Sequence, residues 1–141
     1  APDSLPRLAD LNALVEEART IGQRAELHRI GPEPQLPPPA QLALYRTAQE
    51  GLTNARKHAG PRASVAVRLR TGADRVELEV SDDGRGGRVG APASDGAGMG
   101  VPGTRERITS VGGTLEAGPK PGGGWLVRAT VPTRHAPEER P

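Results

Sequence analysis

Two runs of alternating apolar residues, Val65-Val67-Leu69 and Val76-Leu78-Val80, are separated by Thr71-Gly72-Ala73-Asp74. Alternation with a period of two predicts strands that are apolar on one face only, and the Gly/Asp turn joins them as a hairpin. A sheet with one apolar face needs one covering layer, and the sequence supplies helices for it. Leu11, Leu14, Val15, Ala18 and Ile21 recur at helical spacing, which predicts a helix over about 10–22 with Asp10 at its cap. A longer helix is expected from near Ala40 to about Ala59, where Gly60-Pro61 stops it. Between the two lie a short strand, roughly 25–30, and the connector GPEPQLPPP at 31–39, whose five prolines exclude helix and central strand.

Beyond the hairpin, residues 84–100 hold seven glycines and no apolar periodicity, the pattern of a long mobile loop. Val101, Thr104, Arg105, Ile108 and Val111 then lead a short helix to Gly112-Gly113, with Pro102 in its first turn. Two strands, about 114–118 and 124–131, flank a Gly/Pro loop as a second hairpin. The order predicts an α/β fold built on one mixed sheet with helices on one face. We divide the chain into a lead-in at 1–9, one domain at 10–132 and a flexible tail at 133–141. Its core must be thin and aliphatic, because the sequence has no Phe, one Trp (Trp125) and one Tyr (Tyr45).

Absence of cysteine removes disulfides and thiolate metal sites from consideration and fits a reducing compartment. No apolar run approaches the roughly 18 residues that cross a bilayer, and no signal-peptide pattern opens the chain, so no membrane contact is expected of this segment. The 19 basic and 17 acidic residues are interspersed, without the clustered basic patch of a nucleic-acid binder.

At about 100° per residue, Glu50, Asn54 and Lys57 fall on one stripe of the long helix, opposite Leu44, Ala48, Leu52 and Ala55. The stripe has two readings. It is either a solvated face, or a site in which the Asn54 oxygen serves a hard cation and Lys57 a phosphate. Asp82-Asp83-Gly84-Arg85-Gly86-Gly87 follows directly on a strand, and an Asp there can accept from an exocyclic amine while glycine lets a flat base approach. Gly98-Met99-Gly100-Val101-Pro102-Gly103 matches the dinucleotide fingerprint literally, but no strand precedes it, so that reading is rejected. What survives is a glycine run entering a helix, whose backbone N–H groups suit phosphate. His28, His58 and His135 are isolated, without metal-ligand spacing.

In order, YRTAQEGLTNARKHA (45–59), VSDDGRGG (80–87) and DGAGMGVPGTRERI (95–108) resemble the N box and two glycine boxes of the GHKL ATPases. The match is most similar to the catalytic ATP-binding domain of nitrate-sensor-like bacterial sensor histidine kinases, and it covers about 10–132. The resemblance implies a two-layer α/β sandwich of the Bergerat type with a glycine-rich ATP lid. It makes Glu50 the N-box acid, Lys57 a phosphate contact, Asn54 the magnesium ligand and His58 a neighbour of the nucleotide. Asp83 would bind the adenine amine and Gly84 and Gly86 would admit the base. Gly98, Met99, Gly100 and Val101 would close on the phosphates.

The implied cofactors are ATP and Mg2+, and the implied reaction passes the γ-phosphoryl group to a histidine on a dimerisation domain of the same parent protein, then to a response regulator. No histidine here is followed by an acidic residue, so the acceptor is expected outside this chain. The family commonly has Thr at the position of Trp125, beside the adenine. A cytoplasmic location follows, whether or not the parent is membrane-anchored. The rival readings are an anti-sigma-factor serine kinase of the same superfamily and a non-catalytic nucleotide-binding module.

Overall fold

The structure is a computed structural model and describes residues 5–60, 62–84 and 101–133. After a single 3-10 turn at Leu8–Asp10, the elements are α1 (Leu11–Thr20), β1 (Arg24–Ile30), α2 (Pro38–His58), β2 (Ser64–Thr71), β3 (Arg75–Asp82), α3 (Val101–Ser110), β4 (Thr114–Pro119) and β5 (Trp125–Pro132). The strands form one five-stranded sheet in the order β1-β2-β3-β5-β4. β1 and β2 are parallel, which requires a crossover, and α2 provides it. The remaining pairs are antiparallel. This is the mixed α/β sheet expected, with one feature that alternation does not specify: β5 inserts between β3 and β4, leaving β4 at the edge.

Two boundaries differ from the sequence reading for local reasons. Helix α2 starts at Pro38 rather than Ala40, because the first turn has no intrahelical acceptor for its N–H groups and loses nothing to proline. Asp10 does not cap α1. Its carboxylate accepts from the Arg7 N–H at 2.8 Å and so closes the preceding 3-10 turn.

Register aligns the inward residues in rows across the sheet. Leu69, Leu78, Ala129 and Leu115 form one row, Val67, Val80 and Val127 the next, and Ala25, Val65, Asp82 and Trp125 the last. Against these rows α2 packs Leu44, Ala48, Leu52 and Ala55, all buried as the helical spacing predicts. The helix packs tightly at Gly51, where a Cβ would lie 2.8 Å from the Cβ and both methyls of Val80. The fully buried side chains are aliphatic apart from Thr47, and both Tyr45 and Trp125 stay at the margin of the core.

Outward positions carry alternating charge instead. Arg68, Glu79, Arg128 and Glu116 stand side by side on β2, β3, β5 and β4, with Arg68–Glu79 at 3.4 Å, Arg128–Glu79 at 2.9 Å and Arg128–Glu116 at 3.4 Å. The hydrogen bond from Arg128 to Glu79 holds the guanidinium pKa above its ordinary value. A charged outer face gives the sheet a wet side and an apolar side, so functional groups that need shelter are confined to the helical side.

Candidate functional site

Helix α2 and strand β3 converge at their C-terminal ends. Gly51 sits on Val80, and at the far end Gly84 is so close to Ala59 that a Cβ at Gly84 would overlap the Ala59 carbonyl oxygen and methyl. The last two turns of α2 therefore run beside the end of β3, and Asn54 lies on α2 between the two points of contact. Asn54 is 9 % exposed, while Glu50, Lys57 and His58 are exposed on the same helix. A solvated stripe would expose all three of its members, so that reading fails at Asn54. Among the described residues the Asn54 amide has no hydrogen-bond partner.

The two aspartates at the end of β3 have different surroundings. Asp83 is exposed and acts as an extension of the sheet, with its carboxylate accepting from the Ser64 N–H at 2.7 Å and its own N–H donating to the Ser64 carbonyl at 3.1 Å. Asp82 is 4 % exposed and accepts from the Gly84 N–H at 3.0 Å. Asp83 is the acid that the sequence points to, and Asp82 is the inward one of the pair, since Val76, Leu78, Val80 and Asp82 occupy successive inward positions of one strand.

On its other side Asp82 faces Trp125 across the β3–β5 pair. The β4–β5 turn folds against the same strand end, where the Lys120 ammonium donates to Ser81 Oγ at 2.8 Å and to the Asp82 carbonyl at 3.2 Å. Helix α3 opens at Val101 and packs against α2 and β4. Its Thr104 is 4 % exposed, and among the described residues its hydroxyl has no hydrogen-bond partner. Thr104→Val keeps the shape and removes the unsatisfied hydroxyl, so it should raise stability by about 1 kcal/mol in urea unfolding. Gly86, Gly98, Met99 and Gly100, together with the 84–100 loop beyond Gly84 and the tail from residue 134, lie outside the described residues. Among the described residues no group of three or more His, Cys, Asp or Glu converges as a metal centre. Nor is any described helix long and apolar enough to cross a membrane.

A five-stranded mixed sheet covered on one face by helices defines an α/β fold shared with histidine kinase catalytic domains. The histidine kinase domain of the Erythrobacter litoralis EL346 blue-light activated kinase superposes with a TM-score of 0.73 at 21% identity, covering 93% of this chain and 63% of that one. The mycobacterial sensor histidine kinase MprB superposes with a TM-score of 0.61 at 19% identity, covering 89% of this chain and 95% of that one. In sequence, residues 40–135 match the family described as histidine kinase-, DNA gyrase B- and HSP90-like ATPases. The chain belongs to that family.

Among curated relatives, the signal transduction histidine-protein kinase/phosphatase UhpB of Salmonella typhimurium is 34% identical over 119 residues, which is 78% of this chain and 23% of the relative. The sensor histidine kinase LnrJ of Bacillus subtilis is 28% identical over 123 residues, 86% of this chain and 29% of the relative. This chain thus spans about a quarter of the length of these relatives.

Proposed function

We propose that this chain is the catalytic part of a two-component sensor histidine kinase, which binds Mg-ATP and donates the γ-phosphoryl group to a histidine on a separate dimerisation domain, from which a response regulator receives it. The observation that carries the reading is the family match over residues 40–135, within which Asn54 is sheltered on α2 while Glu50 and Lys57 of the same stripe stay exposed. A single neutral oxygen donor suits magnesium, which keeps several of its waters and takes its other ligands from phosphate. Bound there, the cation would neutralise charge on the phosphate oxygens during transfer. Lys57, exposed one turn beyond Asn54, supports the reading as a phosphate contact, and His58 as a neighbour of the nucleotide. Glu50, one turn before Asn54, is assigned to the reacting end, where a carboxylate orients water or takes a proton.

Transfer of a phosphoryl group passes through a loose transition state, so these residues work by position and charge rather than by covalent chemistry. We assign base recognition to Asp82 rather than Asp83. Burial on the inward face supports it, whereas Asp83 is exposed at the end of the sheet. Gly84 then brings the strand end and the end of α2 close enough for both to border one ligand. The reaction requires the ATP and the regulators of the cytoplasm. Calorimetric titration of the chain with ATP and ADP, with and without magnesium, is expected to show binding of modest affinity that strengthens for ATP when magnesium is present. Absence of binding under both conditions would overturn the reading.

A further inference from the structure

The two edges of the sheet are protected to different degrees. β4 ends at Pro119, and the Arg105 guanidinium of α3 donates to its Leu115 carbonyl. Proline and a side chain bonded along a strand both discourage further pairing. At the other edge β1 pairs with β2 along all seven residues, Arg24–Ile30, and contains neither proline nor glycine. No strand lies on its outer side, and its outer backbone groups have no hydrogen-bond partner among the described residues. A row of free N–H and C=O groups is a template for another strand. Arg29, the one inward charge on β1, does not guard the edge. Its guanidinium is turned back onto the Leu8 carbonyl at 2.8 Å and Asn12 Oδ1 at 2.9 Å.

The outward residues of β1 are Arg24, Glu26, His28 and Ile30, alternating with inward Ala25, Leu27 and Arg29. This pattern is complementary to itself. In an antiparallel pair of β1 strands related by a two-fold axis at Leu27, every residue meets one that projects from the same face. Glu26 then lies opposite His28 of the second copy, and His28 opposite its Glu26. Within one chain the same two side chains already approach to 3.1 Å, so the four form one polar cluster across the joint. An axis at Glu26 or His28 would instead set two carboxylates or two imidazoles directly opposite, which is unfavourable. Leu5, Ile21 and Ile30 are the exposed large apolar side chains among the described residues, and two of the three border β1. In the Leu27 register Ile30 packs on the aliphatic stem of Arg24 of the second copy.

We infer that β1 is a self-association edge, along which a second copy of this chain adds antiparallel and joins two five-stranded sheets into one. Both helical layers then lie on the same side. The joint is set apart from the end of β3 by β2, and it stands or falls independently of nucleotide chemistry.

A joint of this size is small, so association should be weak and reversible, with a dissociation constant on the order of 100 μM. Sedimentation of the native chain should show a monomer–dimer equilibrium. Amide hydrogen exchange across the same concentrations should slow in β1 and stay unchanged in β4. Glu26→Lys, and separately His28→Glu, should weaken the dimer by about 10-fold, because each acts at two symmetry-related pairs. The double variant Glu26→Lys/His28→Glu exchanges the two charges and should restore it. Glu26 and His28 are both exposed, so the variants test the joint rather than the core. A native chain that stays monomeric at about 1 mM overturns the inference. So does a dimer whose β1 amides exchange as in the monomer, or a double variant as weak as the single ones.

Discussion

Asn54→Ala is expected to abolish the magnesium-dependent gain in ATP affinity while sparing metal-free nucleotide binding. When the chain is joined to a histidine acceptor domain, the same variant should lower the rate of phosphoryl transfer by at least about 100-fold, which corresponds to ~2.7 kcal/mol of transition-state stabilisation. Stability should move the other way. Asn54 lies inside α2, where alanine improves helix propensity by roughly 0.5 kcal/mol. Thermal unfolding of the ligand-free variant should therefore occur at an unchanged or slightly higher temperature. A residue kept for function at some cost in stability shows this opposition, and a structural asparagine does not. A fall of many degrees in Tm, or a wild-type magnesium response, would remove Asn54 from the cation site.

The second large effect separates the two adjacent aspartates. Asp82→Asn exchanges an acceptor for a donor at a buried position and should weaken ATP and ADP alike by roughly 10- to 100-fold, the scale of a hydrogen bond to a charged group. It should also relax discrimination against GTP, because guanine presents an acceptor where adenine presents its amine. Asp83→Asn should leave nucleotide affinity within about 2-fold. The Asp83 carboxylate is exposed and bonded to the Ser64 N–H, a contact that the amide oxygen of asparagine can keep. Competition titrations with ATP and GTP on both variants distinguish the assignments. Loss of base discrimination in Asp83→Asn with wild-type behaviour in Asp82→Asn would return the role to Asp83, where the motif alone had put it.

Local pattern carries a great deal in this chain. Alternation at Val65-Val67-Leu69 and Val76-Leu78-Val80 determined the hairpin, and helical spacing of Leu44, Ala48, Leu52 and Ala55 determined the face that α2 buries. Glycine and proline marked where elements stop, since each constrains the backbone at its own position. Scarcity of aromatics determined an aliphatic core. Three ordered motifs were enough to indicate the family.

Tertiary structure decided what depends on neighbours distant in sequence. That β5 lies between β3 and β4 follows from pairing, which alternation permits in more than one order. Burial of Asn54 was invisible in a stripe that reads as uniformly polar, because the helix face alone does not reveal that Gly51 and Gly84 draw α2 onto β3 and enclose the position between them. The different surroundings of Asp82 and Asp83 have the same origin. Both carry the same carboxylate, and only the inward direction of one and the Ser64 N–H beside the other make them chemically different. Sequence determined which groups are available, and the fold determined which of them lose water, because desolvation depends on what packs around a residue and not on its type.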